Sequence, residues 1–136
     1  MEKLSIKAKT ENLDSVTEFI ESQLAPLDLP MRTQMQINLA VEELFVNISY
    51  YAYAPGEGMA VIAVSLTDDR RIIITFMDSG KPFNPLEKDD PDISTPLEDR
   101  RIGGLGILMV KKSMDNVSYA YRDGQNILTI EKRIED

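Results

Sequence analysis

The sequence has no cysteine, no apolar run of the roughly 18 residues that a membrane span needs, and fewer basic than acidic side chains. Without cysteine, no disulfide bond can hold the fold together. The first residues also lack the basic segment and the apolar stretch of a secretion signal, so we expect a cytoplasmic protein without a membrane partner. The 15 basic and 23 acidic residues give a net charge of -8. Because nucleic-acid binding depends on Lys and Arg, we expect no direct nucleic-acid partner.

The composition is that of an ordinary globular chain, with 43% apolar and 28% charged residues among 136. A chain of this length can bury one core, so we predict a single domain over 1–136. Apolar periodicity and turn residues predict strand, two helices, two strands, a helix and two strands. In order, these elements are expected at 4–8, 13–24, 31–53, 59–66, 71–77, 104–114, 117–121 and 127–134. The order predicts an α/β (α+β) two-layer sandwich, in which a largely antiparallel, mixed sheet has helices on one face.

Residues 81–102 differ in composition from the rest of the chain. They contain four of its seven prolines, an acidic cluster at 87–92 and almost no apolar periodicity. Loops of this length without structure of their own are usually binding loops or lids. We therefore predict a lid at about 84–102.

The long helix is expected to be mostly buried, because apolar residues fall on two nearly opposite sides of it. Glu43 and Asn47 are four residues apart and share a narrow stripe between those sides. A buried acid needs a partner, a hydrogen bond or a metal, which makes this stripe a candidate pocket wall. A solvated surface stripe is the alternative. Glu42, one residue away, is expected to be exposed. Asn12 and Asp28 are the expected N-caps of the first and second helices.

An acid and a glycine follow the strand at 71–77. Asp78, Ser79 and Gly80 are typical turn residues and a turn alone would explain them. The functional interpretation is that Asp78 accepts a hydrogen bond from an exocyclic amine, while Gly80 lets an aromatic base approach the backbone.

Three glycines lie at the start of the helix at 104–114, at positions 103, 104 and 106. Free backbone N–H groups at a helix start favour anions, so phosphate is the natural ligand. A tight turn or close packing would also explain them. The segment is neither a Walker A loop nor a complete dinucleotide fingerprint. Arg101, just before it, could contact phosphates or belong to a solvated hinge.

The segments 43–47, 78–85 and 103–106 resemble, in order and spacing, the three boxes of the Bergerat-type ATP-binding fold that gyrase, histidine kinases and mismatch-repair ATPases share. More narrowly, Pro82, Phe83 and Pro85 are similar to the second box of the anti-sigma-factor serine kinases of bacterial partner switching. Where many members have His after the first box, this chain has Tyr51.

The resemblance implies ATP and Mg²⁺ as cofactors, and it implies a role for each box. Glu43 would be the general base, Asn47 a Mg²⁺ ligand, and Asp78 the reader of adenine with Gly80 beside it. The residues implied in binding nucleotide are Asn47, Asp78, Gly80, Phe83, Arg101, Gly103, Gly104, Leu105 and Gly106.

The expected function is that of an ATP-dependent protein serine/threonine kinase and anti-sigma factor. Such a protein phosphorylates a small anti-anti-sigma antagonist and sequesters a sigma factor when the antagonist is absent, and the resemblance also implies a homodimer. The alternative is a module that senses ATP or ADP and binds a partner without transferring phosphate. A domain without any ligand would require all three boxes to be coincidental. The absence of histidine and of a second domain argues against a complete sensor histidine kinase.

Overall fold

The structure of the protein is a computed structural model that describes residues 2–87 and 104–134. Within these ranges the chain forms five strands and three α-helices, with short 3-10 turns at Thr10–Asn12, Ala25–Leu27 and Pro85–Glu87. In chain order the main elements are β1 (Glu2–Lys7), α1 (Leu13–Leu24), α2 (Met31–Tyr51), β2 (Met59–Leu66), β3 (Arg71–Asp78), α3 (Gly104–Ser113), β4 (Asn116–Arg122) and β5 (Gln125–Arg133).

The strands form one sheet in the order β1-β2-β3-β5-β4, and every neighbouring pair in the described ranges is antiparallel. The two predicted hairpins, β2–β3 and β4–β5, are both present. Asp123 and Gly124 join the second hairpin with φ angles of 53° and 77°, the left-handed conformations that a two-residue turn needs. The predicted two-layer fold with a largely antiparallel sheet is confirmed.

The core lies between the helices and one face of the sheet. Along β3 burial alternates, so that Ile72, Ile74 and Phe76 point toward the helices. Asp78 is the last member of the same row and is also buried. Because of this alternation, the Asp78 carboxylate lies at the end of the apolar core.

One side of α2 is not buried as predicted. Ile37, Val41 and Leu44 are at most 1% exposed, but Met35 is 57% and Leu39 is 55% exposed. The apolar pattern was real, yet α2 packs mainly on α3, α1, β3 and the 3-10 turn at Thr10–Asn12, and no described element buries the side chains of Met35 and Leu39.

Of the two predicted N-caps, Asn12 is confirmed and Asp28 is wrong. Asn12 is the N-cap residue of α1, although its side chain donates to the carbonyl of Lys7 at 3.0 Å and forms no capping hydrogen bond with the helix. Pro30, not Asp28, is the N-cap of α2. Asp28 has a φ of 50° and ends the preceding 3-10 turn. The linker between the helices thus needs a left-handed residue, which Asp tolerates better than most.

Helix α2 ends at Tyr51, two residues earlier than predicted, because Tyr53 turns its side chain toward the sheet. The Tyr53 hydroxyl donates to the carbonyl of Met59 at 2.5 Å and accepts the N–H of Ser79 at 2.7 Å. Its ring fills the space next to Gly58, where an added Cβ would lie 2.2 Å from a ring carbon. These contacts hold the C-terminal end of α2 against the end of the sheet at which β3 finishes with Asp78.

Candidate functional site

Glu43 and Asn47 are brought together on α2, as their spacing predicted. The Asn47 amide nitrogen donates to Oε1 of Glu43 at 3.0 Å and to the Glu43 carbonyl at 2.9 Å. Asn47 is buried and Glu43 half-buried, whereas Glu42 is exposed as expected. The carboxylate is therefore held in place by the amide, and neither bond uses the amide oxygen of Asn47, the atom that a metal ion would take.

Gly106 lies directly against the carboxylate of Glu43. A Cβ added at Gly106 would be 2.1 Å from Cδ of Glu43 and 2.2 Å from Oε2. Close packing, one of the two explanations left open for these glycines, thus applies to Gly106. The approach also brings the first turn of α3 next to the pair on α2.

The remaining residues of the third box are described only in part. Gly104 and Leu105 begin α3, so the helix starts where it was predicted and its first backbone N–H groups have no partner within the helix. Arg101 and Gly103 lie outside the described residues. So does the predicted lid beyond Glu87, while its first part, Pro85–Glu87, is a 3-10 turn.

Asp78 ends β3 with one of its oxygens already engaged. Its Oδ1 accepts the N–H of Gly80 at 2.9 Å and the side-chain N–H of Asn126 at 2.8 Å. A Cβ at Gly80 would lie 2.2 Å from the carbonyl oxygen of Ala52, and Lys81 donates to that same oxygen at 2.9 Å. The close approach of Gly80 to the end of α2 is therefore sufficient reason for a glycine, with or without a ligand.

Asn126 is the residue at this site that the sequence analysis missed. It is 5% exposed, faces Asp78 across the β3–β5 ladder, and uses all its hydrogen-bonding capacity. Its Nδ2 donates to Asp78 and, at 2.9 Å, to the carbonyl of Lys81. Its Oδ1 accepts the N–H of Phe83 at 3.1 Å and the hydroxyl of Tyr119. The last strand was predicted to begin at residue 127, which left Asn126 outside it. A strand that begins at 125 places Asn126 in the same core-facing row as Leu128 and Ile130.

Tyr119 lies on β4 and completes this network. Burial raises the pKa of its hydroxyl above the usual value of 10.0 for tyrosine, with a smaller contribution from the charge of Asp78. The raised pKa keeps the hydroxyl protonated, and so able to donate to Asn126, across the physiological range.

These side chains surround a small cavity at the end of the core. Its volume is about 30 Å³, and its walls include Asn47, Asp78, Phe83, Asn126 and Leu128. Since a single water needs roughly 10–15 Å³ of such volume, the cavity has room for only about two waters, and a purine ring requires its walls to move. The segment at 81–87 forms one of these walls. Phe83 in it packs on Tyr51, with ring centroids 5.5 Å apart, so the residue in place of the family's His takes part in packing here.

The donor set fits a nucleotide better than a metal ion held by protein alone. In residues 2–87 and 104–134, no three His, Cys, Asp or Glu side chains lie close enough together to bind a metal. A Mg²⁺ ion bound through one amide oxygen and the phosphates of a nucleotide needs no such cluster. Three features together suit a nucleoside triphosphate: the buried Asp78 carboxylate with its Oδ2 free of described partners, the glycine-rich start of α3, and the hydrogen-bonded pair of Glu43 and Asn47.

The family described as the histidine kinase-like ATPase domain matches residues 6–132. The chain belongs to this family. This histidine kinase-like ATPase domain is 28% identical over 99 residues to the serine/threonine-protein kinase BtrW of Bordetella bronchiseptica. The aligned region covers 73% of the chain and 70% of BtrW. It is 31% identical over 96 residues to the serine-protein kinase RsbW of Bacillus cereus. That aligned region covers 68% of the chain but only 59% of RsbW.

A third relative matches over more of its length. The anti-sigma F factor of Caldanaerobacter subterraneus is 27% identical over 129 residues, which covers 94% of the chain and 89% of that protein. The names of the three relatives confirm the branch that the motifs predicted.

Solved structures support the fold of this histidine kinase-like ATPase domain. A crystal structure of the RsbU and RsbW domains of a Mycobacterium tuberculosis protein aligns with a TM-score of 0.68 at 17% identity, over 98% of this chain and 33% of the other. None of the helices in the described ranges is long and apolar enough to cross a membrane.

Proposed function

We propose that this histidine kinase-like ATPase domain is an ATP-dependent protein serine/threonine kinase that acts as an anti-sigma factor. Its substrate is a small anti-anti-sigma protein, and its second partner is a sigma factor. The observation that carries the proposal is the placement of the Glu43 carboxylate, held by Asn47, against the first turn of α3 at Gly106. The names of BtrW, RsbW and the anti-sigma F factor support the same activity.

Each part of the site has one task in this proposal. Asp78 accepts the adenine amino group, and the backbone N–H groups from Gly104 to Gly106 bind phosphate oxygens. The amide oxygen of Asn47 binds Mg²⁺, which supplies neutralising charge for the phosphates. Glu43 accepts the proton of the serine hydroxyl as that oxygen attacks the terminal phosphorus of ATP, and the bond from this phosphorus to the bridging oxygen breaks so that ADP leaves. Arg101, Gly103, Leu105 and Phe83 complete the nucleotide-binding set.

We also propose a cytoplasmic location and a homodimer. The location follows from the partners, since sigma factors act on transcription. The dimer rests on the family resemblance. Light scattering on the purified chain tests it, and a monomer at micromolar concentration would contradict it.

The proposal predicts that Glu43→Ala abolishes phosphate transfer without abolishing nucleotide binding. The acceptor is an anti-anti-sigma protein from the same organism, and the readout is transfer of label from γ-labelled ATP. Loss of a general base lowers the rate by about 10²- to 10⁴-fold. Binding is measured separately by calorimetry with ATP.

Glu42→Ala is the matched control, because it removes an exposed acid from the adjacent position of the same helix and should leave both readouts unchanged. If binding and transfer vanish together in Glu43→Ala, then Glu43 is structural and its assigned role is wrong. If the wild type binds ATP but labels no antagonist, the domain is a nucleotide-sensing interaction module.

A further inference from the structure

We propose that Asn126 makes the site selective for adenine over guanine, by occupying the oxygen of Asp78 that guanine would need. This inference rests on the proposed function, in which Asp78 reads the base. Its basis is the network of hydrogen bonds around the two side chains.

Oδ1 of Asp78 is saturated. A carboxylate oxygen has about two acceptor sites, and Oδ1 fills both with the N–H groups of Gly80 and Asn126, at 2.9 and 2.8 Å. No described residue forms a further hydrogen bond with Asp78. Oδ2 is therefore the single oxygen with which Asp78 can receive a ligand.

The amide of Asn126 cannot turn away from Asp78 at low cost. Its Nδ2 faces the carbonyl of Lys81, an acceptor only, and its Oδ1 faces the N–H of Phe83, a donor only. A flipped amide would set donor against donor and acceptor against acceptor in a buried site. The backbone of the 81–83 segment thus keeps Nδ2 of Asn126 on Asp78.

The two purines place different demands on a carboxylate. Adenine offers one exocyclic amine next to a ring acceptor, so a single carboxylate oxygen satisfies it. Guanine offers two adjacent donors, N1–H and the N2 amine, which match the two oxygens of a free carboxylate as a bidentate pair. With Oδ1 saturated, Asp78 can accept from adenine but cannot form both bonds to guanine. Asn126 is accordingly a positioning residue that acts through Asp78.

The test compares ATP, GTP and ITP binding to wild type and Asn126→Ala by calorimetry. Inosine has the N1–H of guanine but lacks the N2 amine. In Asn126→Ala we expect the preference for ATP over GTP to fall by at least about tenfold, the value of one hydrogen bond to a charged group. We also expect GTP to bind more tightly than ITP, because the second oxygen of Asp78 can then accept from the N2 amine.

Tyr119→Phe is the matched control. It removes the hydroxyl from the far side of Asn126 but leaves the bond to Asp78, so the ATP-to-GTP ratio should stay that of the wild type. A merely structural role for Asn126 predicts that Asn126→Ala weakens all three nucleotides equally, and this result would overturn the proposal. A wild type that binds no nucleotide would instead overturn the proposed function.

Asn126→Asp provides an independent measurement if Asn126→Ala does not fold. It sets two carboxyl groups side by side, and such a pair binds one proton far more readily than a single carboxyl does. Protonated Asp at 126 restores a donor to Asp78, and Tyr119, the other titratable contact, stays neutral in this range. The preference of this variant for ATP over GTP should therefore rise as the pH falls from about 8 to about 5, and a flat profile parallel to the wild type would contradict the proposal.

Discussion

Tyr119 is a titratable residue beside the site, and its hydroxyl has a pKa raised above the usual value for tyrosine. Burial disfavours the tyrosinate, so the folded protein keeps a proton that the unfolded chain releases above its usual pKa of 10.0. The folded state then binds more protons than the unfolded state, and the free energy of unfolding must fall as the pH rises beyond about 10. Below that pH the contribution of Tyr119 is constant.

We predict that this alkaline loss of stability is smaller in Tyr119→Phe. The measurement is the urea midpoint at a series of values between about pH 8 and pH 11, where tyrosine titrates. Tyr121→Phe is the control, because Tyr121 is 43% exposed on the same strand and should retain the wild-type slope. Identical slopes for wild type and Tyr119→Phe would mean that the hydroxyl is not buried against Asn126 as the structure has it.

At the scale of elements, the contact between α2 and α3 depends on the missing side chain at Gly106. The atoms that a Cβ would meet belong to the carboxyl end of Glu43, which can move, and not to backbone. Alanine is also the better helix former, by about 1 kcal/mol. We therefore predict that Gly106→Ala folds with a stability within about 1 kcal/mol of the wild type, while Glu43 is displaced from Asn47.

The expected consequence is a loss of phosphate transfer comparable to that of Glu43→Ala, with the backbone N–H of residue 106 still available to phosphate. Thermal melting and the γ-label assay on one preparation measure both effects. Met109→Ala on the same helix is the control, since its side chain is 59% exposed and its loss should change neither. Full transfer activity in Gly106→Ala would show that the position of the Glu43 carboxylate does not limit the reaction.

Elements with an unbroken apolar period were predictable from the sequence, but an end that depends on contacts with distant residues was not. The strand at 59–66 was predicted with the bounds that β2 has, because its Val and Ile content leaves few alternatives. The end of α2 was predicted too late, since nothing local shows that the Tyr53 hydroxyl bonds to Met59 in β2 and to Ser79 just after β3. The start of β5 was predicted two residues late, and that error concealed Asn126.

The site was predictable where one element carries it and not where several meet. Glu43 and Asn47 share a helix, so spacing alone put them together. The partners of Asp78 are 2 and 48 residues away along the chain, and only the β3–β5 register identifies the distant one. Likewise, the hydrophobicity of Met35 and Leu39 could not reveal that none of the described elements covers their side of α2.

At the scale of the whole molecule, a purine can enter the cavity of about 30 Å³ only if its walls move, and we expect the 81–87 wall to move because it lies outside the α-helices and the sheet. The bonds of Asn126 to the backbone of Lys81 and Phe83 must move with that wall, because they keep Nδ2 of Asn126 on Asp78. The ligand must supply the free energy for this change. Only the part of the binding free energy that exceeds this cost then stabilises the folded protein.

We predict that this net stabilisation is positive and specific for adenine nucleotides. At a free concentration of about 100 times its dissociation constant, Mg·ATP should stabilise the fold by about 2.7 kcal/mol, which raises the melting temperature by several degrees. Asp78→Asn should lose the rise, because an amide that turns its oxygen to Gly80 and Asn126 presents N–H groups to the adenine amine. Asp123→Asn, which alters an exposed acid in the β4–β5 turn, should keep it. If neither ATP nor ADP raises the melting temperature of the wild type, the three boxes are a scaffold for partner binding and the kinase proposal is wrong.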